Sequence, residues 1–451
     1  MKRKFIYIAA AIFAFAATEA SAQSNLQSRQ TVQEKAIFNA SLEAGQTVTF
    51  AQVMQDPDNL KLNMAYAKTQ IRNGDIKGAA ATLERMLRIN PNLKEVKLFY
   101  AAVLYRLDNI AEAKLELSKL DNVELSEKTK KEKKLLEKMI ARREKKTTWT
   151  GQLMSGMSYD TNVNAFPEDD TIEYGNGSTL KFQGEEKTDT SYLALLALDV
   201  DHKLGKYGQH SIFAGGSYYM TKQSEMSSMD MGIISGKAGA NFNLRRNNIT
   251  PQLIYNTVNL DGTAYMDTFG GSLKVSHTLN KKAALYAEGK YLSQTYKNST
   301  VYKNNSDKNA ISSAGTFGLR YLLTPRMTIE AEAMGMMKDA KNEYNDTTTL
   351  GGNLRHFWLF KKNTYLMTSF SATQETYSKP GEDNISNLLL QAVGKKRKDT
   401  AIRGSLTLGF PLYKNIMASI AYEYLHNDSN IQAYTYSKQK GTGLISWKFS
   451  L

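Results

Sequence analysis

The groups in this chain that could attack, protonate or ligate are scattered. Five histidines, His202, His210, His277, His356 and His426, fall at separate places, with no two at ligand spacing, so a transition-metal centre has no donor set. Cysteine is absent, which removes thiol nucleophiles, thiolate metal sites and disulfides. There is no phosphate loop, no G-x-S-x-G elbow and no H-E-x-x-H helix. The residues read as those of a protein that is not an enzyme and carries no cofactor or resident metal.

Two stretches do concentrate polar chemistry. The first is Tyr159-Asp160-Thr161-Asn162-Val163-Asn164-Ala165-Phe166. Its Asp and Asn side chains can turn the backbone by bonding to it, or Asp160 and Asn162 can bind a cation weakly, although one carboxylate is thin for Ca²⁺. The second is basic, with ten Lys or Arg against three Glu from Lys128 to Lys146, and it supplies much of the formal charge of +14. Such a segment can be a solvated capping helix, or a cationic surface held against headgroups or an acidic cargo segment.

The chain ends say which elements must carry these residues. Lys2, Arg3 and Lys4 precede an apolar run from Phe5 to Ala17 and the small-residue site Ala20-Ser21-Ala22. Residues 1–22 therefore read as a secretory signal peptide, and an exported protein is not expected to meet nucleic acid. No later run reaches the roughly 18 apolar residues that a spanning helix needs. At the other end Ile445, Trp447, Phe449 and Leu451 share one face of an alternating segment, and Ser446, Lys448 and Ser450 share the other. That is the closing strand of an outer-membrane β-barrel, with Trp447, Phe449 and Leu451 towards lipid.

From 147 to 451 the period is two. Tyr192, Ala194, Leu196, Leu198 and Val200 alternate against Asp199 and Asp201, and Ile416, Ala418, Ile420, Tyr422 and Tyr424 against Ser419 and Glu423. Tight links are expected at 205–208, 245–248, 280–282, 324–326, 361–363 and 413–415. Longer ones are expected near 160–188, 222–229, 260–266, 298–308, 339–346, 378–396 and 428–436. Alternating short and long links predict about 14 antiparallel strands, with the short turns in the periplasm.

Residues 23–146 have helical periodicity instead, predicting an all-α periplasmic domain. Pro57 and Pro91 are 34 residues apart, the tetratricopeptide period. Ala67 and Ala101, and Ala79 and Ala113, match at that offset, as small residues where paired helices approach closely. Gly74 falls at the first unit's inter-helix turn, and Asp108 replaces it in a degenerate second unit. Helices over Val32 to Leu42 and Leu125 to Lys146 are expected to cap the pair.

A signal peptide, two tetratricopeptide-like repeats, a barrel of this size and Y-D-T-N-V-N-A closing its first strand together resemble the surface lipoprotein assembly modifier (Slam) family. The family commonly carries a second Asn before the Ala, and here Ala165 follows Asn164 directly. The resemblance implies a cell outer-membrane factor that brings cargo, a surface lipoprotein or a secreted haem- or iron-binding protein, to the cell surface. It marks Tyr159, Asp160, Asn162, Asn164 and Ala165 as the matching motif and the candidate delivery site. The implied partners are the cargo, outer-membrane lipids, a periplasmic chaperone and the barrel assembly machinery. A polysaccharide export porin also joins such repeats to a barrel, usually with a longer helical array, and a diffusion porin needs no helical domain. A seam near Leu153 and Ile445 is the expected place for a wall of this size to open, since it joins strands that are not continuous in the chain.

Overall fold

The structure, a computed structural model, describes residues 45–169, 171–173, 179–181, 184–205, 209–380 and 395–450. The expected signal peptide, the expected helix from Val32 to Leu42, and Leu451 lie outside these residues. The chain divides into two compact units, one ending at Lys146 and the other beginning its strands at Thr147.

The helical unit runs α1 (Phe50–Gln55), α2 (Leu60–Arg72), α3 (Ile76–Ile89), α4 (Lys94–Arg106), α5 (Ile110–Ser118) and α6 (Glu127–Glu144). Side chains of Thr49, Asn59, Asp75 and Ser126 cap four of the helix starts by accepting backbone N–H bonds. Successive helices pack on one another, and Ala67, Ala79, Ala101 and Ala113 are wholly buried where they meet. Gly74 turns between α2 and α3 with φ +84°, and Asp108 repeats the left-handed turn between α4 and α5 with φ +65°. The basic segment is a capping helix in this unit: Leu136, Met139 and Ile140 of α6 join its core. Part of its charge is paired, with Lys133 2.5 Å from Asp121 and Arg143 2.7 Å from Asp108.

The second unit opens with β1 (Thr147–Asp160), followed by two short strands, β2 (Thr171–Glu173) and β3 (Thr179–Lys181), that pair only with each other. The wall continues through β4 (Asp189–Leu204), β5 (His210–Gln223), β6 (Met231–Leu244), β7 (Asn247–Leu260), β8 (Thr263–Thr278), β9 (Ala283–Tyr296) and β10 (Ala310–Thr324). It is completed by β11 (Met327–Ala340), β12 (Thr347–Leu359), β13 (Tyr365–Tyr377), β14 (Lys398–Tyr413), β15 (Ile416–Ser429) and β16 (Tyr436–Ser450). Apart from β2 and β3, each strand pairs antiparallel with its neighbours and β16 closes on β1, a barrel of 14 strands. Closure satisfies backbone groups that lipid could not.

Loop lengths sort by end as expected, with one correction. The link expected over 260–266 is the two-residue turn Asp261-Gly262. Both residues have positive φ, 50° and 68°, the twist-compatible Asp-Gly hairpin, so β7 and β8 run on through residues read as loop. The short-turn end faces the periplasm. All three tryptophans face outwards at that end: Trp149 begins β1, Trp358 closes β12 and Trp447 lies near the end of β16. Outward Tyr159 and Tyr192 mark the opposite rim. These are the aromatic belts of a membrane wall.

The closing ladder runs from Thr150↔Ser450 to Asp160↔Lys440. Phe449 lies where a Cβ on Gly151 would be, 2.1 Å from its ring, so glycine at 151 lets the last aromatic fold flat across the joint. Phe449 also meets Trp447, ring centroids 4.8 Å apart.

Candidate functional site

The polar motif begins where β1 ends, and its residues separate by face. Tyr159 points outwards, half exposed. Asp160, next in the strand, points into the barrel and is buried. Its Oδ2 accepts from Lys438 Nζ at 3.0 Å, and its Oδ1 from the backbone N–H of Asn162 at 3.1 Å. The second bond is an Asx turn, and it bends the chain off the strand axis.

Asn162 is 2% exposed and its amide is fully used. Its Oδ1 accepts from Phe166 N at 2.7 Å, and its Nδ2 donates to Phe166 O at 2.9 Å and to Ser437 O at 3.1 Å. Asn164 imitates a strand partner: its Oδ1 accepts from Lys187 N and its Nδ2 donates to Glu185 O, both at 3.0 Å. Val163 N donates to Lys187 O at 2.8 Å. Ala165 is buried with φ +47°, a left-handed conformation that costs a residue with a Cβ about 1–2 kcal/mol. The bonds around it hold that geometry.

Inside the wall, Val163 belongs to a buried apolar cluster drawn from β1, β4 to β9 and β16, among them Met154, Leu193, Tyr219, Met231 and Leu260. Ala165 packs in a smaller cluster with Leu425 and Tyr436. Lower in the lumen, Glu330 meets Arg320 at 3.1 Å and Arg355 at 3.5 Å, Glu332 meets Arg355 at 3.1 Å, and Tyr286 donates to both carboxylates. The interior thus joins an apolar outer region to a paired-charge region. The chemistry available at the motif is the holding of backbone by carboxylate and amide side chains. Among the described residues, no three His, Asp or Glu stand where they could share a metal ion.

The structure brings Asp160, Asn162, Asn164 and Ala165 into one turn and leaves Tyr159 on the lipid side. Ala67, Gly74, Ala79, Ala101 and Ala113 belong to the other unit. Trp447 and Phe449 lie on the strand that the motif grips, on its outer face. Sequence reasoning did not find Lys438, Ser437, Gln439, Lys187 or Glu168. The only signal for the first was an inward charge in a strand otherwise read for its outward aromatics.

Residues 149–449 match the family described as surface lipoprotein assembly modifier, and residues 70–125 match the tetratricopeptide repeat. No curated protein matches the chain. Among solved structures, it is similar to the outer membrane channel DcaP of Acinetobacter baumannii at 9% identity, covering 67% of this chain and 97% of that one, with a TM-score of 0.40. It is similar also to OmpT, an outer membrane protein of Vibrio cholerae, at 7% identity, covering 67% and 97%, with a TM-score of 0.40. A bacterial polysaccharide outer membrane secretin is 9% identical, covering 66% and 98%, with a TM-score of 0.33.

Proposed function

The chain belongs to the surface lipoprotein assembly modifier family, and we propose that it carries a cargo protein across the outer membrane to the cell surface. The match over the whole barrel is the observation that carries this reading. The cargo is a surface lipoprotein or a secreted haem- or iron-binding protein, and the chain is a transport and assembly factor rather than an enzyme. Residues 1–22 direct export, and the domain over 23–146 works in the periplasm, where its repeat surface receives cargo or a chaperone. Residues 147–451 form the barrel, which the barrel assembly machinery inserts.

The delivery site is the joint between β1 and β16, with the Tyr159–Phe166 segment at its outer end. A barrel of this strand number is narrower than the porins with open aqueous channels, and buried apolar side chains occupy its outer interior. Cargo passage at the joint fits both facts better than diffusion through a polar lumen.

The test is co-expression with candidate cargo lipoproteins and a protease applied to intact cells. Cargo should become protease-sensitive only when the chain is present. Cargo equally exposed without it would overturn the reading.

A further inference from the structure

The joint between β1 and β16 is uneven at its outer end. β16 continues beyond the last ladder pair, Asp160↔Lys440, and stays bonded to β15 as far as Asn427↔Tyr436. Residues 436–439 therefore have a strand on one side and none on the other. In a closed barrel that is a short open edge, and open edges recruit strands.

Residues 161–168 cover this edge with atoms that imitate a strand. Thr161 N donates to Gln439 O at 3.0 Å, and Gln439 N donates to Thr161 Oγ1 at 3.0 Å. Asn162 Nδ2 donates to Ser437 O at 3.1 Å, and Glu168 N donates to Thr435 O at 3.0 Å. The carbonyls of 435, 437 and 439 are alternate residues, the set that one edge of a strand presents. Two backbone amides and one side-chain amide fill the positions a paired strand would supply with backbone alone. The cover is fastened on three sides. Asp160 is tied to Lys438, Val163 to the apolar interior, and Asn164 to Glu185 and Lys187. Further out, the Glu168 carboxylate accepts from Ser437 Oγ and lies 3.4 Å from His426 Nδ1.

We propose that the open edge at residues 436–439 of β16, with Thr435 just before it, is a docking site for an extended strand of the cargo, and that residues 161–168 are a built-in occupant which the cargo strand displaces. This rests on the cargo-delivery reading and gives it a place and a recognition chemistry. Backbone-to-backbone pairing is tolerant of sequence, so one edge can serve cargo of varied sequence. The displaced segment can be replaced bond for bond: a true strand offers backbone N–H groups where Asn162 offers a side-chain amide, so exchange leaves the edge satisfied throughout. The edge lies at the outer rim, where an arriving segment would emerge.

Because the chain has no cysteine, the cover can be stapled cleanly in the full-length protein. Thr161 and Gln439 bond to one another one step beyond the last ladder pair, and a hydrogen-bonded antiparallel pair, with Cα atoms about 5.5 Å apart, is spacing that a disulfide can span. Thr161→Cys with Gln439→Cys, oxidised, should abolish surface exposure of a lipoprotein that depends on this chain, and reductant should restore it. Ser369→Cys with Ser405→Cys, at a side-chain contact of 2.7 Å between β13 and β14, is the control staple and should leave delivery unchanged. A photo-crosslinking residue at Gln439 should capture the same lipoprotein, more strongly in Asn162→Ala, where the cover is weaker. Independently of cargo, Thr161→Val should raise hydrogen exchange at the Gln439 amide about tenfold, for loss of its bond, and leave β9 and β10 unchanged. Full delivery through the oxidised 161–439 staple, no crosslink to a lipoprotein that is delivered, or unchanged exchange at Gln439 would each overturn the inference. Absence of any lipoprotein whose exposure depends on the chain would instead overturn the delivery reading itself.

Discussion

Asp160 and Lys438 are 278 residues apart in the chain and 3.0 Å apart in space. Both side chains are nearly enclosed, so removing one partner leaves a buried charge, a loss of about 3–5 kcal/mol. Asp160→Ala and Lys438→Met should each lower the barrel's resistance to urea in lipid vesicles by about that amount. The double variant should cost less than the sum, and strict additivity would mean the two charges do not act as a pair. Changing Asp160, Asn162 and Asn164 together to alanine should strengthen capture of cargo at Gln439 yet reduce surface-exposed cargo at matched barrel levels, because the loosened segment no longer closes over the edge to release the cargo strand, and it should not prevent insertion. Wild-type delivery by that variant would return the segment to the status of a polar turn. The motif's turn chemistry was legible in its own residues, since Asx turns need only neighbours. Its grip on β16 was not, because an ordinary loop start has the same composition and no local pattern connects residue 162 to residue 437.

The strands reveal which elements a sequence can specify. Alternation in β4 and β15 places Leu196, Leu198, Ile420 and Tyr422 outwards, as the period of two requires. The turn at Asp261-Gly262 was hidden because a polar run resembles a loop until its two positive-φ residues are seen as a hairpin. Substituting Gly262 by Val should impair folding of the β7–β8 hairpin, visible as less heat-modifiable barrel at equal expression. In the helices, Asp108 was read as degeneracy, yet it takes the left-handed turn that Gly74 takes. Asp108→Gly should relieve that backbone while losing the contact with Arg143, a near-neutral exchange. Asp108→Val should lower the helical unit's stability by about 1–2 kcal/mol in a circular dichroism melt.

At the scale of the molecule, the closed wall leaves the barrel self-sufficient. It should fractionate with the outer membrane and run with heat-modifiable mobility, and recovery as a soluble periplasmic protein would contradict the fold. Deleting residues 30–146 should leave a barrel that still inserts, because its strands satisfy one another. Cargo delivery by that variant should fall sharply, and delivery at the full rate would show that the helical unit is no receptor.

The three tryptophans have a use beyond anchoring. Trp149, Trp358 and Trp447 are the only indoles in the chain, and all lie on the outside of the wall near the short-turn rim. Intrinsic tryptophan emission therefore reports the short-turn rim of the wall, with no indole in the interior or in the helical unit. Lipids brominated high on their acyl chains should quench it strongly, and lipids brominated near the chain ends weakly. Emission followed during insertion becomes a clock for one rim reaching its resting depth, readable in the unlabelled wild-type protein.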